Sequence, residues 1–487
     1  IPSNVWKNHD VALDAATLTA FGITGATEYQ PDDTLGSPSF SYTGTETPET
    51  ATIGTGPWMM ASGAWTEGVG TQIDTYDGYW GKNSTITWNN VAYPYFPKYL
   101  RHIQYKQYGA LDVSILALRK GEIQYIPWNI GAGFYNSLKT DPNIGFQIPQ
   151  DQGFFYMAFN LRKAPMKDLE FRKAVAYCVD KDYIVNRLMG GYGTKGTVPI
   201  AITNPLYINQ TVPDYVSGLD LSKAEDALDD AGYAVGSDGW RTKPDGTPLK
   251  VTILTPPKDY DPVRADAGIM IAKNLKFIKV NAESSPTSFD TIVSKAYVSY
   301  DFDIYCLGWS VGAFPENYLK DFFHSDSDVA VNSAGSNSMG YHNATVDAMI
   351  DKIATTMDNT VRTKLVKDVC GAVMKELPYD VLYYRKNIEA FRQSVWQGWI
   401  PAFGTCWNGF TLSILHPPGG AGGSSVTPGE VLPGALQVQL DMPANVAANT
   451  AVTGQMYASQ DGMPVSGVTL TIVPSYGANI SKTTDVN

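Results

Sequence analysis

The sequence predicts an α/β protein with a small all-β sandwich at its C-terminal end, and three observations carry that prediction. Between about 150 and 400, short apolar or β-branched runs alternate with segments of helical period. From His416 to Gly434 the chain reads HPPGGAGGSSVTPGEVLPG, a Pro/Gly/Ser tract that cannot build a core and reads as a linker. Beyond it, ALQVQLDMP, AVTGQMYA and VTLTIVP are short alternating runs, with the turn QDGMPVSG among them, the texture of a small β-sandwich. The sequence ends at TTDVN, so this module is expected to be cut short.

Element by element, residues 1–150 are turn-rich, with IGTGPWMM and LRHIQYKQYG as expected strands and LDVSILALRKGEI as a helix ended by Gly121. FFYMAFNL (154–161) is a short apolar run with the length of a buried strand. KDLEFRKAVAYCVDKDYIVNRLMGG reads as one or two helices ending at Gly190-Gly191. Ser222 and Glu225 form a capping box, each side chain satisfying an orphan backbone N–H, and open a helix closed by Gly232. The Asp238-Gly239 and Asp245-Gly246 turns flank WRTKP and lead into LKVTILTPP, a hairpin signal. Asp261-Pro262 supplies an N-cap with Pro at the first helical position, and KFIKVNA after that helix reads as a strand. YDFDIYCLGW (300–309) is another strand, NATVDAMIDKIATTM and TVRTKLVKDVCGAVMKEL are amphipathic helices, and YDVLYYRK is a last strand.

The 487 residues allow about three domains. Charged residues make up 17% and the formal net charge is −12, without any basic run. A nucleic-acid partner is therefore not expected, since phosphate binding needs clustered Lys and Arg. No apolar run approaches the roughly 18 residues of a membrane span. Cys178, Cys306, Cys370 and Cys406 lie far apart with no CxxC pair, which excludes zinc ribbons and redox motifs. They leave room for one or two bridges and are read as mostly buried core residues. N-x-S/T sequons at Asn83, Asn209, Asn343 and Asn479 are glycosylation candidates.

One catalytic pattern stands out. Gly308-Trp309-Ser310-Val311-Gly312 is a GxSxG directly after a strand, as in a nucleophile elbow, and His324, His342 and His416 follow in the required order. Against a serine hydrolase with Ser310 as nucleophile, Pro315 falls where the elbow helix should begin, and no His-Gly-Gly oxyanion loop is visible. The five histidines form no metal-ligand spacing, and His324-Ser-Asp326-Ser-Asp328 lacks the Gly and distal Glu of a calcium loop and reads as a solvated acidic loop. Gly131-Ala-Gly133-Phe-Tyr-Asn136 misses the last glycine of a dinucleotide loop, so neither metal nor cofactor is expected. The positive signal is aromatic: 29 Tyr, 18 Phe and 11 Trp, with Trp128, Trp309 and Trp407 at expected loops or strand ends, suited to lining a stacking cleft.

Taken in order, the segments resemble a known family. Gly54-Thr-Gly56-Pro57-Trp58, Tyr76-Asp-Gly-Tyr79-Trp80-Gly81, LALRKGEI, MAFNLRKAPMKDLEFRKAVAYCVDKDYIV, DALDDAGY, DIYCLGW, GYHNATVDAMIDKI and LPYDVLYYRK are similar to the motifs of the large extracytoplasmic solute-binding proteins of ABC transporters, peptide/nickel (oligopeptide- and dipeptide-binding) class. The resemblance implies a two-lobed, periplasmic-binding-protein-like (Venus-flytrap) fold that closes on its ligand by hinge motion. It divides the chain up to about Trp407 into lobe I (1–150), lobe II (151–398) and a return segment (399–415), before the linker (416–434) and the Ig-like sandwich (435–487) read from composition and pattern. It implies no catalysis, an ABC-transporter permease as partner and an extracellular location, and the linker and sandwich read as a stalk toward a cell-surface anchor. Its ligand-binding positions map to Trp309, Ser310, Phe314, Tyr305, Trp128, Asn129, Trp407 and Asn408.

Two departures matter. The family's N-terminal portion is not seen before Ile1, so a missing segment is expected to accompany the chain. Where peptide binders carry an Asp for the peptide's free amine, the matching position here is Gly312. An ammonium without a counter-ion is costly in a desolvated cleft, which favours neutral oligosaccharides over short peptides. A structural role in a self-assembling surface layer or filament is the other open reading, since fold does not fix function.

Overall fold

The computed structural model describes residues 56–60, 66, 68–88, 91–208, 210–312, 315 and 318–419. It also describes short strands at Leu13–Asp14, Glu28–Tyr29, Leu436–Asp441, Gln455–Gln460, Met463–Pro464, Thr469–Ile472 and Ile480–Thr483. Two compact units emerge: Ile1–Gly109 with Gln393–Ile400 and Trp407–Thr427, and Ala110–Arg392 with Pro401–Cys406 and Pro428–Asn487.

In the first unit, β1 (Trp58–Met60), β2 (Gly70–Thr75) and, further along, β5 (His102–Lys106) form an antiparallel sheet in the order β1-β2-β5. Between them β3 (Thr85–Trp88) and β4 (Val91–Pro94) make a hairpin. Phe410, from the short helix Gly409–Ile414, stacks on Trp88 at 4.8 Å and meets Tyr93 edge-on at 4.9 Å.

The second unit begins with α1 (Leu111–Lys120), whose buried Ile115 and Leu118 share one face and whose end is set by Gly121 at φ 83°. After it come β6 (Tyr125–Ile126), α2 (Gly131–Leu138), β7 (Ile144–Gln147) and β8 (Gly153–Phe159). Next are α3 (Leu169–Tyr177), β9 (Gly193–Lys195), α4 (Leu221–Asp230), β10 (Lys250–Thr255), α5 (Pro262–Phe277) and β11 (Asn281–Pro286). The rest are α6 (Phe289–Val293), β12 (Ile304–Ser310), α7 (Leu319–Phe323), α8 (Ala344–Thr355), α9 (Asn359–Glu376), β13 (Tyr379–Arg385) and β14 (Glu389–Arg392).

Six strands form one sheet in the order β9-β13-β8-β12-β10-β11, with β8 antiparallel to both neighbours and β10 parallel to β11 and β12. Every residue of β8 is buried, so its apolar run lacks alternation because both faces are covered. Phe155, Met157 and Phe159 face one core with Phe171 and Val175 of α3, Leu228 of α4 and Ile271 of α5. Phe154, Tyr156 and Ala158 face the other, with Phe322 of α7, Ile350 of α8 and Val369 of α9. A second sheet, β6-β14-β7, packs with α1 and α2 around Leu118, Ile126 and Leu138. Residues 110–150, expected in the first lobe, thus join the second unit, because β6 and β7 flank β14.

Two local expectations are corrected. The cap of α4 is Asp220, whose carboxylate accepts the Lys223 N–H, so the helix starts before Ser222 and the capping box is not used. KFIKVNA is not one strand: α5 runs through Phe277, because Ile271, Leu275 and Ile278 continue one apolar stripe, and β11 starts at Asn281. The four cysteines are buried and unbridged.

The 324–328 loop is not simply solvated, since His324 and Asp328 are buried. Asp328 is ion-paired with Arg162, bonded to His342 Nε2 at 2.7 Å and accepts the Ala330 N–H. Burial works to raise its carboxyl, but these bonds prevail and hold it below the usual carboxylate value of 3.8. The folded state therefore gains stability from the ionised form above pH 3.8 and loses it as pH falls through the lower folded value. The gap in unfolding free energy between wild type and Asp328→Asn is expected to be full at neutral pH and to shrink only below pH 3.8, as urea titrations at stepped pH will show.

Candidate functional site

Strands β10, β11 and β12 are parallel, so their carboxyl ends open at one edge of the sheet, where α/β proteins place ligands. The start of β8 and the end of β13 reach the same edge, since Gly153 pairs with Ser310 and Phe155 with Tyr383. Phe155 is the floor. Its ring stacks on Tyr383 at 4.7 Å and lies over Gly308, where an added Cβ would come within 2.6 Å of it. Two guanidiniums cover the same ring: that of Arg385 is 4.6 Å from the centroid and that of Arg264 is 5.6 Å.

Arg264 extends the arrangement outward. Its guanidinium also lies 5.6 Å from the Tyr260 ring, which stacks on Phe289 at 6.1 Å and meets Trp128 edge-on at 6.4 Å. Those three rings are each about half exposed, at 43%, 43% and 52%. The result is a ladder of flat faces from buried to open, able to stack on a planar or ring-bearing solute.

Local sequence explains how the ladder is held. Asp261 caps α5 by accepting the Arg264 N–H, and its second oxygen takes Arg264 Nε at 2.7 Å. Burial opposes the charge on Arg264, but the Asp261 carboxylate outweighs it and holds the guanidinium above its ordinary value. Asp151 accepts Arg385 Nε at 3.1 Å and Nη2 at 2.8 Å. Trp128 sits in the β6–α2 loop, fixed by Asn129, whose side-chain oxygen accepts the N–H groups of Gly131 and Ile388. Beside it the chain passes twice between the two sheets, at 148–152 and 386–388, joined by the Gln150–Lys386 bridge.

The residues expected from sequence divide. Trp128 belongs to the ladder, and Asn129 positions it. Ser310 is exposed at the end of β12 on the same strand face as Gly308. Trp309 points to the opposite face and stacks on Phe322 at 4.6 Å. Tyr305 is fully buried, its hydroxyl 2.6 Å from that of Ser338, so it serves the core and is corrected as a ligand contact. Trp407 meets Tyr105 edge-on at 5.6 Å in the first unit, where Asn408 caps the helix Gly409–Ile414. Phe314 lies outside the described residues. Phe155, Tyr260, Arg264, Phe289 and Arg385 were not singled out; the only local signal was the Asp261-Pro262 cap.

Of the sequons, Asn83 is exposed just before β3. The Asn343 amide is used in both directions, capping α8 and donating to Glu376 at 2.5 Å. Asn209 and Asn479 lie outside the described residues.

The first glycine of GWSVG has a structural reason: Gly308 makes room for the Phe155 ring. Ser310 makes no hydrogen bond to a histidine among the described residues; His342 is bonded to Asp328 and His324 Nδ1 accepts the Asp326 N–H. Gly308→Val is expected to destabilise by about 1–3 kcal/mol, since Phe155 is wedged between Tyr383 and two guanidiniums and cannot swing away. Urea unfolding measures it.

A family model described as "Bacterial extracellular solute-binding proteins, family 5 Middle" matches residues 11–330. The oligopeptide-binding protein AppA of Bacillus subtilis is 24% identical over 347 residues, covering 70% of this chain and 58% of that protein. The dipeptide-binding protein of Escherichia coli is 22% identical over 344 residues, again 70% and 58%. The chain thus spans less than two thirds of these relatives. Among solved structures, NikZ from Campylobacter jejuni in complex with Ni(L-His) matches with a TM-score of 0.61 at 24% identity, covering 72% of this chain and 64% of that one. The mannohexaose-bound periplasmic oligopeptide-binding protein of Thermotoga maritima gives 0.61 at 21%, covering 76% and 70%. These likenesses establish the fold as the two-lobed α/β fold of periplasmic binding proteins.

Proposed function

The chain belongs to the bacterial extracellular solute-binding proteins of family 5, and on that premise we propose that it captures an oligosaccharide or oligopeptide outside the cytoplasm and delivers it to an ABC-transporter permease. The observation that carries this reading is the ladder Trp128–Tyr260–Phe289, half exposed at the carboxyl ends of parallel strands and backed by Arg264 on Phe155. Exposed rings of this kind cost solvation unless a ligand covers them.

Support for both ligand classes comes from relatives: one is named a dipeptide-binding protein and another was solved with mannohexaose. Asp151, which is buried, and Asp261, which is partly exposed, are each spent on an arginine, which leaves them poor partners for a peptide ammonium. With Gly312 at the family's Asp position, this weighs toward the oligosaccharide. The Pro/Gly/Ser tract of 416–434 suits a tether between the binding fold and a cell-surface anchor.

Mass spectrometry of the purified chain, native and then denatured, tests the proposal. A co-purifying oligosaccharide or peptide, with saturable tryptophan-fluorescence change on adding it back, is the expected result. A chain that carries nothing and responds to no solute of either class overturns it.

A further inference from the structure

We propose that the solute carries a carboxylate, and that Arg264, assisted by Arg385, is the fork that reads it. This inference rests on the solute-binding reading above and narrows it. Arginine has five N–H donors, and Arg264 spends only Nε, on Asp261. Its two Nη nitrogens donate to nothing among the described residues, although the residue is only 6% exposed. Arg385 likewise spends Nε and Nη2 on Asp151 and leaves Nη1 without an acceptor among the described residues.

These Nη groups are not sealed from water, so they are open to a solute, and an acceptor that meets them beside the aromatic rings gains charge-assisted hydrogen bonds in a largely desolvated setting. The planar fork also selects among anions, because a carboxylate matches two parallel N–H groups in its own plane. Charge narrows the class further. Each guanidinium already has one aspartate, so the pair of ion pairs is close to neutral and suits a singly charged carboxylate better than a phosphate dianion. Tyr260 roofs Arg264 and continues to Phe289 and Trp128, so the body of the solute would lie on rings while its acid points inward. Neutrality of the oligosaccharide, expected from sequence, is thus replaced by an acidic end group. A sugar acid and a peptide C-terminus share that chemistry.

Calorimetric titration of the purified chain with matched pairs separates them. One pair is an oligogalacturonide and its methyl ester; the other is a mixed tetrapeptide pool and its C-terminal amides. The acid member of one pair is expected to bind about tenfold or more tightly than its neutral partner, as a charge-assisted bond predicts. That preference should vanish in Arg264→Met and survive only in part in Arg264→Lys, which keeps the charge and loses the fork. Preference in the first pair assigns a sugar acid, and in the second a peptide terminus. If either variant fails to fold, the wild-type ratio decides alone. Equal binding of acid and neutral members overturns the inference and leaves solute capture standing. The same holds if neither pair binds while a neutral solute is found by native mass spectrometry. A chain that binds and carries nothing overturns both.

Discussion

Replacing Asp380 with alanine is expected to cost about 3–5 kcal/mol of unfolding free energy, the largest single loss predicted for this chain. Asp380 and Lys181 are both fully buried, with Nζ 2.8 Å from Oδ1. The ammonium also donates to the carbonyls of Val381 at 2.7 Å and Gly196 at 3.1 Å, so its three N–H groups are all taken. Burial raises the Asp380 carboxyl and lowers the Lys181 ammonium despite their mutual attraction, so desolvation is the dominant cost on both sides. Removing one partner leaves the other charge buried without its counter-ion. Lys181→Met with Asp380→Leu removes both charges and is expected to restore stability to within about 1 kcal/mol of wild type, or to exceed it. Urea unfolding of Lys181→Met, Asp380→Leu and the double variant gives the coupling directly. By contrast, an exposed pair such as Lys223–Asp214 should contribute little, because solvent screens both charges. Additive losses in the double variant would mean that the two side chains act through their separate carbonyl and packing contacts.

Much of the fold could be read because its signals are local. Asp261-Pro262 marks the start of α5, Gly121 the end of α1, and Asn343 the cap of α8, each through hydrogen bonds within a few residues. Where the reading failed, a neighbouring signal competed: Asp220 offered a cap two residues before Ser222, and the apolar stripe of α5 ran on past its expected end. The site was legible only where an aromatic stood in a loop, as Trp128 does. Phe155 is one apolar residue in a run of them, and Arg264 one charge in the first turn of a helix, until β8 meets β12 and β13 and α5 folds over the sheet. Strand period explains the mixed result on β12. Tyr305 and Trp309 alternate onto the face covered by α7, α8 and α9, while Gly308 and Ser310 take the face of Phe155 and α5. Reading GWS as one ligand-facing segment joined two faces that the pleat separates. Gly308 was visible as half of a GxSxG, but the ring that requires it lies more than 150 positions away in the chain.

Tyr260→Ala is expected to weaken solute binding by roughly 30- to 100-fold, the loss typical of truncating a central aromatic anchor. The ring is the joint of the ladder: it covers the Arg264 guanidinium on one side, stacks on Phe289 and receives the edge of Trp128. Its removal takes away a stacking face, opens Arg264 to water and so weakens whatever the fork holds, since a bond shared with solvent is worth less than one shielded from it. Stability should change little, because the ring is 43% exposed and the Asp261 cap, a backbone and carboxylate feature, stays in place. Trp128→Ala should cost about tenfold in affinity, as its indole touches the ladder only at the end. Trp309→Ala should show the reverse pattern, lowering stability through its lost stack on Phe322 while leaving affinity nearly intact. Titration of the solute identified by mass spectrometry against all three variants, with thermal unfolding alongside, separates the two faces of β12. An unchanged dissociation constant in Tyr260→Ala, together with a large loss in Trp309→Ala, would move the binding surface to the α7–α9 side of the sheet. The arginine fork would then be a structural clamp on Phe155 and nothing more.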